Sequence, residues 1–494
     1  MVNIKKIDNL KVRVKTETVE LVAGIISTNN LSTTNLQTIN IFSDNNLIIN
    51  TGNDAVLTDS TVSAPSFITP FQFQSFRTDT YDTSTITGIT GISRWIGGVL
   101  APNGKIYGIP YRNTNVLIID PLKNTYDTTT ISGLSSQFTK YWGGVLAPNG
   151  KIYGIPYDST NVLIIDTYNN TYDTSTIEGI SGSLKWNGGV LSPNGKIYGI
   201  PFNSTSVIII DPLTNTYDTT TITGLAGSGK WAGGVLGLNG KIYGIPYNST
   251  NVLIIDPNST ISSILFTTAT YNDVTKTLTC TGTTFLTSIL VGDNIIITLI
   301  NGQKFTGYVQ TVNNNLELTF IYNLGVLSSP IVSLQKTRLA DITNISGISA
   351  LGAKYYGGVL AQNGNIYCIP HQQTNVGIIF PSTDTFNSTS MTGLSNVGMS
   401  FPFKYAGGVL SQNGKIYGIP YTVSNSIIID PNTNTYDTRT ISGFPQDGFL
   451  WLGGVLAQNG NIYGIPLAAD RTLIIKTGLP SLTNWPLQAY FNKY

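Results

Sequence analysis

Apolar and polar positions follow one order over most of the chain. From Trp95 the sequence runs as an apolar stretch, WIGGVL, then a polar turn at Pro102-Asn103-Gly104, then KIYGIP, then VLIID at 116–120. Short runs rich in Ile, Val and Tyr, bounded by Gly, Pro, Asn and Asp, predict strands. Asn-Gly favours the positive φ angles of a two-residue hairpin. Pro110 cannot donate to a ladder and ends the second strand. A continuous apolar run such as VLIID suits burial between neighbouring layers. A Thr-rich stretch at 125–131 completes the unit as a solvated outer strand. Each unit therefore predicts four strands, at 95–100, 105–109, 116–120 and 125–131 in the first copy.

The unit recurs. Its Gly-Gly pair opens at Gly97, Gly143, Gly188, Gly233, Gly357, Gly407 and Gly453, so successive starts differ by 46, 45, 45, 124, 50 and 46 residues. Self-similarity in the forties without helical patterning predicts propeller blades. Seven copies predict seven blades, and the one long interval exceeds a period by 79 (124 less 45) and predicts an insert. The segment 78–86, TDTYDTSTI, matches the end of a repeat that no repeat precedes, whereas the last repeat lacks its TYDT strand. A first strand that completes the last blade closes the ring and leaves no open edge.

The expected fold is all-β: a seven-bladed β-propeller with an N-terminal β-rich attachment segment and a small β-barrel or sandwich insert in blade four. The expected divisions are 1–70 (attachment and oligomerisation), 71–258 (blades one to four, with the strand completing blade seven), 259–336 (the insert), 337–480 (the remaining blades) and 481–494 (a C-terminal tail). Residues 1–70 do not repeat. The stretch 11–21 alternates as a half-buried strand does, and the rest is too short to build a core of its own.

Composition narrows the functional classes. Charged residues are 11% of the chain, against about 25% in an average globular protein. The surface is therefore expected to be polar but uncharged. A net charge of +1 supplies no footprint for nucleic acid or an anionic membrane. The start, MVNIKKIDNLKVRVK, has no apolar core of a secretory signal, and no apolar run reaches membrane-spanning length. Cys280 and Cys368 make neither a zinc cluster nor a disulfide framework, and Cys368 stands where other repeats have Gly108 and Gly154.

Catalytic chemistry has few carriers. The one histidine, His371, stands where other repeats carry Tyr111, Tyr157, Phe202, Tyr247 and Tyr421. It alone would have to serve any Ser-His-Asp or Cys-His machinery, and two-His metal sites are excluded. Asp120, Asp166, Asp211, Asp256 and Asp430 each precede a turn and read as turn-forming side chains rather than a cation ring. No phosphate-cradling loop occurs. The expectation is a non-enzyme with no metal and no cofactor.

Two aromatic sets are the candidate binding residues. Trp95, Tyr141, Trp186, Trp231, Tyr355, Tyr405 and Trp451 stand two residues before each Gly-Gly. Tyr111, Tyr157, Phe202, Tyr247, His371 and Tyr421 stand in the loops after the second strand. In propeller geometry both sets lie toward one face, among Asn, Ser and Thr. They either stack on sugar rings or wedge blade against blade.

Gly-Gly, NGKIY, a strand ending in a DP turn and NTYDT together resemble the kelch repeat, with Tyr126 where kelch has Trp. At the end of the second strand the kelch double glycine is replaced by Ile109-Pro110 and Ile155-Pro156. The resemblance implies a kelch-like propeller with a binding or scaffolding role. The N-terminal stretch resembles shaft or base segments of viral fibre proteins. The insert run TCTGTTFLTSILVGDNIII resembles small β modules of viral capsid-decoration and tail proteins. Asn, Ile and Tyr enrichment also fits the AT-rich genome of a giant DNA virus. These resemblances imply a virion surface fibre, spike or decoration subunit, made in host cytoplasm. Such a subunit would be a homo-oligomer held to other virion or scaffold proteins through 1–70, with its propeller facing a host glycan or receptor. The alternatives are an intracellular kelch-like interaction module and a propeller enzyme of the lyase or oxidase type.

Overall fold

Each repeat folds as a four-stranded antiparallel meander. The first comprises Trp95–Leu100, Ile106–Pro110, Leu117–Asp120 and Thr125–Asp127, paired in sequence order. The computed structural model describes residues 79–477, apart from 92–93, 138, 260–261, 284–288, 290–292, 322, 338, 396–402 and 446–447. It also describes the N-terminal strands Arg13–Lys15, Thr18–Val22, Thr38–Phe42, Leu57–Thr58 and Thr61–Val62. Seven four-stranded sheets form, and no helix occurs among the described residues.

The innermost strand of each sheet packs on that of the next, and Trp451–Leu456 returns to pack on Trp95–Leu100. The ring is closed. Its last sheet is completed from the other end of the chain: Thr80–Asp82 pairs with Leu473–Lys476, Ile475 opposite Tyr81. The core lies between blades. Val99, Tyr107 and Ile109 of the first blade, for example, pack with Tyr141, Ile152 and Leu163 of the second. Burying one such aliphatic side chain contributes roughly 1.5–3 kcal/mol.

Polar clasps reinforce these contacts at the rim that carries the Asn-Gly turns. The Tyr107 hydroxyl donates to Asn170 of the next blade at 2.8 Å, and Tyr153 does the same to Asn215 at 2.7 Å. Asn124, Asn170 and Asn215 have φ of 51–53°, a left-handed turn position that asparagine tolerates. Across the closure Tyr463 donates to Asn124 and Tyr417 to Asp79, both at 2.8 Å.

The outer strands are shorter than the sequence suggests. The expected strand at 125–131 stops at Asp127, whose carboxylate accepts from the Thr129 and Thr130 amides and turns the chain away. In the fifth blade the equivalent Asn387 accepts from the Thr389 and Ser390 amides in the same way, yet the outer strand runs Thr385–Thr392. Blade four is interrupted after Leu253–Ile255 and resumes with Ala340–Asp341. Between them seven strands, Ser262 to Thr337, form one continuous sheet around a core of Leu278, Cys280, Ile295, Ile297, Val309 and Phe320.

Residues 1–77 pack as a separate unit from 78–494. In it Thr18–Val22 pairs with Arg13–Lys15 antiparallel and with Thr38–Phe42 in parallel.

Candidate functional site at one end of the ring axis

A bulge in each innermost strand builds the site. Trp95 pairs with Pro110 and Gly98 with Gly108, so the inner strand carries one residue more than its partner over this step. The same step occurs in every blade. The bulge depends on the first glycine of the pair: Gly97 has a φ of +66° and Gly453 one of +76°, positions where a Cβ is strained. A Cβ on these glycines would also stand 3.0–3.9 Å from the Cα of the next blade's glycine, so seven glycines form a continuous collar around the axis.

Bulges re-aim side chains, and here they turn the preceding residue inward. Those residues are Ile96, Trp142, Asn187, Ala232, Tyr356, Ala406 and Leu452. Residues from blades that are not neighbours meet there, which can happen only at the axis. The Trp142 and Tyr356 rings, from blades two and five, are 6.4 Å apart. The Asn187 amide of blade three donates to the Tyr356 hydroxyl at 3.1 Å. Ile96, Ala406 and Leu452 complete the cluster with Leu467. In a chain of near-identical repeats this axial position differs from blade to blade. Small residues beside large ones let Trp142 and Tyr356 fill the opening. Elsewhere along the inner strands, a cavity of about 80 Å³ is lined by Val359, Leu360, Val409, Leu410, Val455, Leu456 and neighbouring glycines. That space holds no more than a few waters.

Around the plug stands the second expected aromatic set. The Tyr111 and Tyr157 rings lie 5.1 and 4.4 Å from Trp142, and Phe202 lies 5.9 Å from Tyr157 and 5.6 Å from Tyr247. His371 lies 5.1 Å from Tyr356 and 5.5 Å from Tyr421. In the seventh blade the place is taken by Leu467. Tyr157 and His371 are buried, whereas Tyr111, Phe202, Tyr247, Tyr421, Trp142 and Tyr356 are half-buried. The structure therefore gathers all six of these residues into one aromatic floor.

The floor is held by a circle of backbone hydrogen bonds. The Tyr111 amide donates to the Arg94 carbonyl, and the next blade's Lys140 amide donates to the Tyr111 carbonyl. The alternation continues through Tyr157, Lys185, Phe202, Lys230, Tyr247, Lys354, His371, Lys404, Tyr421, Leu450 and Leu467 and returns to Arg94, each bond 2.8–3.0 Å. The basic residues in it are buried. The Lys230 ammonium gives its protons to the Phe202, Ser204 and Gly227 carbonyls at 2.9–3.0 Å. Burial pushes Lys140, Lys185, Lys230, Lys354 and Lys404 down to about 8. Sequence reading passed over this set, because a lone lysine before an apolar strand reads as a solvated residue. The signal was its recurrence directly before Trp or Tyr.

The first aromatic set is placed elsewhere. Trp95, Tyr141, Trp186, Trp231, Tyr355, Tyr405 and Trp451 are each at most 2% exposed, packed between blades. Each anchors the loop twenty residues on. The indoles donate to the backbone carbonyls of Asn115, Ser206, Asn251 and Arg471, and the phenols to the Asn161, Asn375 and Asn425 side chains.

His371 is an acceptor, not a base poised at neutral pH. Its Nδ1 donates to the Tyr405 carbonyl at 2.7 Å, which leaves Nε2 unprotonated. Burial pushes the imidazole down to about 4, against the favourable bond to that carbonyl. Phe403 stacks on it at 4.8 Å. Burial also pushes the Cys280 thiol up to about 12. Among the described residues no group of His, Cys, Asp and Glu is placed to hold a metal ion. No helix among them is long and apolar enough to cross a membrane.

Seven sheets around a plugged axis, locked by a strand from the opposite end, define a β-propeller. No family model and no curated protein matches the chain. Among solved structures it is similar to virginiamycin B lyase from Staphylococcus aureus, at 10% identity and a TM-score of 0.49 over 80% of this chain and 99% of that one. A streptogramin B lyase is similar at 8% identity and a TM-score of 0.48, over 80% and 97%. The extracellular domain of a putative hybrid two component system from B. thetaiotaomicron is similar at 10% identity and a TM-score of 0.47, over 83% and 44%. Likeness at this level concerns the fold alone.

Proposed function

We propose that the chain is a non-enzymatic binding protein that presents the aromatic floor of its propeller to a glycan, as a surface fibre, spike or decoration subunit of a virion. The observation that carries this reading is the convergence of Tyr111, Phe202, Tyr247 and Tyr421 around Trp142 and Tyr356, half-buried at one end of the axis. Aromatic faces stack on the apolar faces of sugar rings, and phenol hydroxyls bond sugar oxygens. Residues 1–70 serve as the oligomerising attachment to other virion proteins, and the kelch-like repeats supply a rigid platform. Burial pushes the His371 imidazole down to about 4 and the Cys368 thiol up, which supports binding rather than catalysis through these two groups.

The test is a glycan array probed with the whole chain and with Phe202→Ala, whose folding is checked by its thermal transition. Retention of a glycan by the parent and its loss in the folded variant is the expected result. No retained glycan, or equal retention by both proteins, would overturn the reading. For the attachment role, light scattering should give an oligomer for the whole chain and a monomer for a chain starting at Ser66. Monomers from both would remove the fibre assignment.

A further inference from the structure

The aromatic floor lies over a local excess of positive charge. Arg94, Lys140, Lys185, Lys230, Lys354 and Lys404 alternate with the floor residues in the hydrogen-bonded circle, and all six are at most 4% exposed. Where their partners are seen, backbone carbonyls receive the protons: Gln137 from Lys140, Ser159 and Gly182 from Lys185, Leu351 from Lys354, and Gly91 and Ala469 from Arg94. A carbonyl satisfies the hydrogen bond without cancelling the charge. Two carboxylates act on the circle, Asp158 on Lys185 and Asp470 on Arg94, and Asp470 is also bound by Arg471 at 2.6 Å. The sum at this end is positive among the described residues, in a chain whose total is only +1. Charges set in a dry interior are screened less than surface charges and act across the floor above them.

The floor itself offers donors. Among the described residues the Tyr157, Tyr247 and Tyr421 hydroxyls have no protein hydrogen-bond partner, whereas the Tyr356 hydroxyl is buried and accepts from Asn187. Their rings cluster at the axial plug: Tyr247 lies 5.9 Å from Tyr356, Tyr157 4.4 Å from Trp142, and His371 5.1 Å from Tyr356 and 5.5 Å from Tyr421. Burial raises all four above the ordinary phenol range and keeps them protonated. O–H donors above six buried basic residues, with Asp158 beside Tyr111 and Tyr157 as the carboxylate that acts on the floor among the described residues, match a group that only accepts hydrogen bonds and carries negative charge.

Resting on the glycan reading above, we infer that the aromatic end of the ring selects acidic glycans. The carboxylate or sulfate of the sugar would sit over the axis, accepting from the tyrosine hydroxyls, while the sugar face stacks on the surrounding rings.

The test uses the whole chain on an array of matched glycan pairs that differ by one carboxylate or sulfate, such as 3′-sialyllactose and lactose. The acidic member should bind at least about tenfold tighter, the size of one charge-assisted hydrogen bond. Its binding should weaken as salt is raised, and lactose binding should not. The double variant Tyr247→Phe/Tyr421→Phe keeps both rings and removes two donors, and should lose most of the preference. Equal binding of both members, or an unchanged preference in the double variant, overturns this inference and leaves the glycan reading standing. No binding by any glycan on the array overturns both.

Discussion

A lysine that gives every proton to a backbone carbonyl has two measurable consequences at this site. Lys230→Met keeps most of the aliphatic stem but leaves the Phe202, Ser204 and Gly227 carbonyls without their donor. The expected loss is roughly 1–3 kcal/mol, read from urea denaturation; a variant as stable as the parent would contradict the role assigned here. The second consequence is a rise of stability with alkali. Five lysines ionise at about 8 in the folded chain against 10.5 ordinarily. Between those values the unfolded chain binds more protons, so raising the pH favours the folded state. The buried tyrosines act oppositely: burial raises Tyr141 from 10.0 to about 12, so above pH 10 the unfolded chain sheds protons first and stability declines. Urea midpoints should therefore climb from pH 8, peak near pH 10 and then fall. A flat or falling profile from pH 8 would show that the carbonyls hold the ammonium groups charged. On the acid side, side-chain and backbone bonds from Thr130 and Thr129, opposed by partial burial, hold Asp127 at about 2 against 3.8. Its contribution is present above pH 3.8 and lost as pH falls toward 2.

At the scale of the element, the inner strand carries the most information in the fewest residues. Gly453→Ala puts a Cβ at a φ of +76° and 3.0 Å from the Gly97 Cα. It should destabilise by more than the roughly 1 kcal/mol usual for an ill-placed alanine, because a backbone neighbour cannot move aside. A thermal transition within a degree of the parent's would show that the collar yields. The strands, their turns and the insert were readable because apolar runs and Asn-Gly signals are local. The bulge was not. It adds one residue to one strand without breaking the run WIGGVL, so the pattern gives no sign that Ile96 and its equivalents swing to the axis. The difference between the two aromatic sets was equally hidden: both are aromatic, recurrent and near Gly, and only three-dimensional packing separates buried anchors from a half-open floor. The outer strand was misjudged at its end: Asp127 accepts from the Thr129 and Thr130 amides where the strand stops, but Asn387 takes the equivalent amides in a strand that runs on to Thr392, so these bonds alone do not set its length.

For the whole molecule, closure is the feature on which stability turns. A chain beginning at Thr87 lacks Thr80–Asp82 and leaves Leu473–Lys476 as an open edge. It should melt several degrees lower than a chain beginning at Ser66 and self-associate as the concentration rises. A monomer with an unchanged transition would mean that the outermost strand is dispensable. Closure was legible before any coordinates, since a surplus TYDT at the start and its lack at the end are visible in the letters. The circle of hydrogen bonds was not legible, because every second link joins residues from different copies of the repeat. That circle, together with the glycine collar, bears on how the gene can change. Tandem copies this alike invite unequal recombination, which adds or drops a copy at a time. An open solenoid would absorb such an event as a change of length. Here a missing or extra copy leaves the Leu467 carbonyl unable to meet the Arg94 amide and parts the collar, so this ring accommodates a whole number of copies and not a graded length.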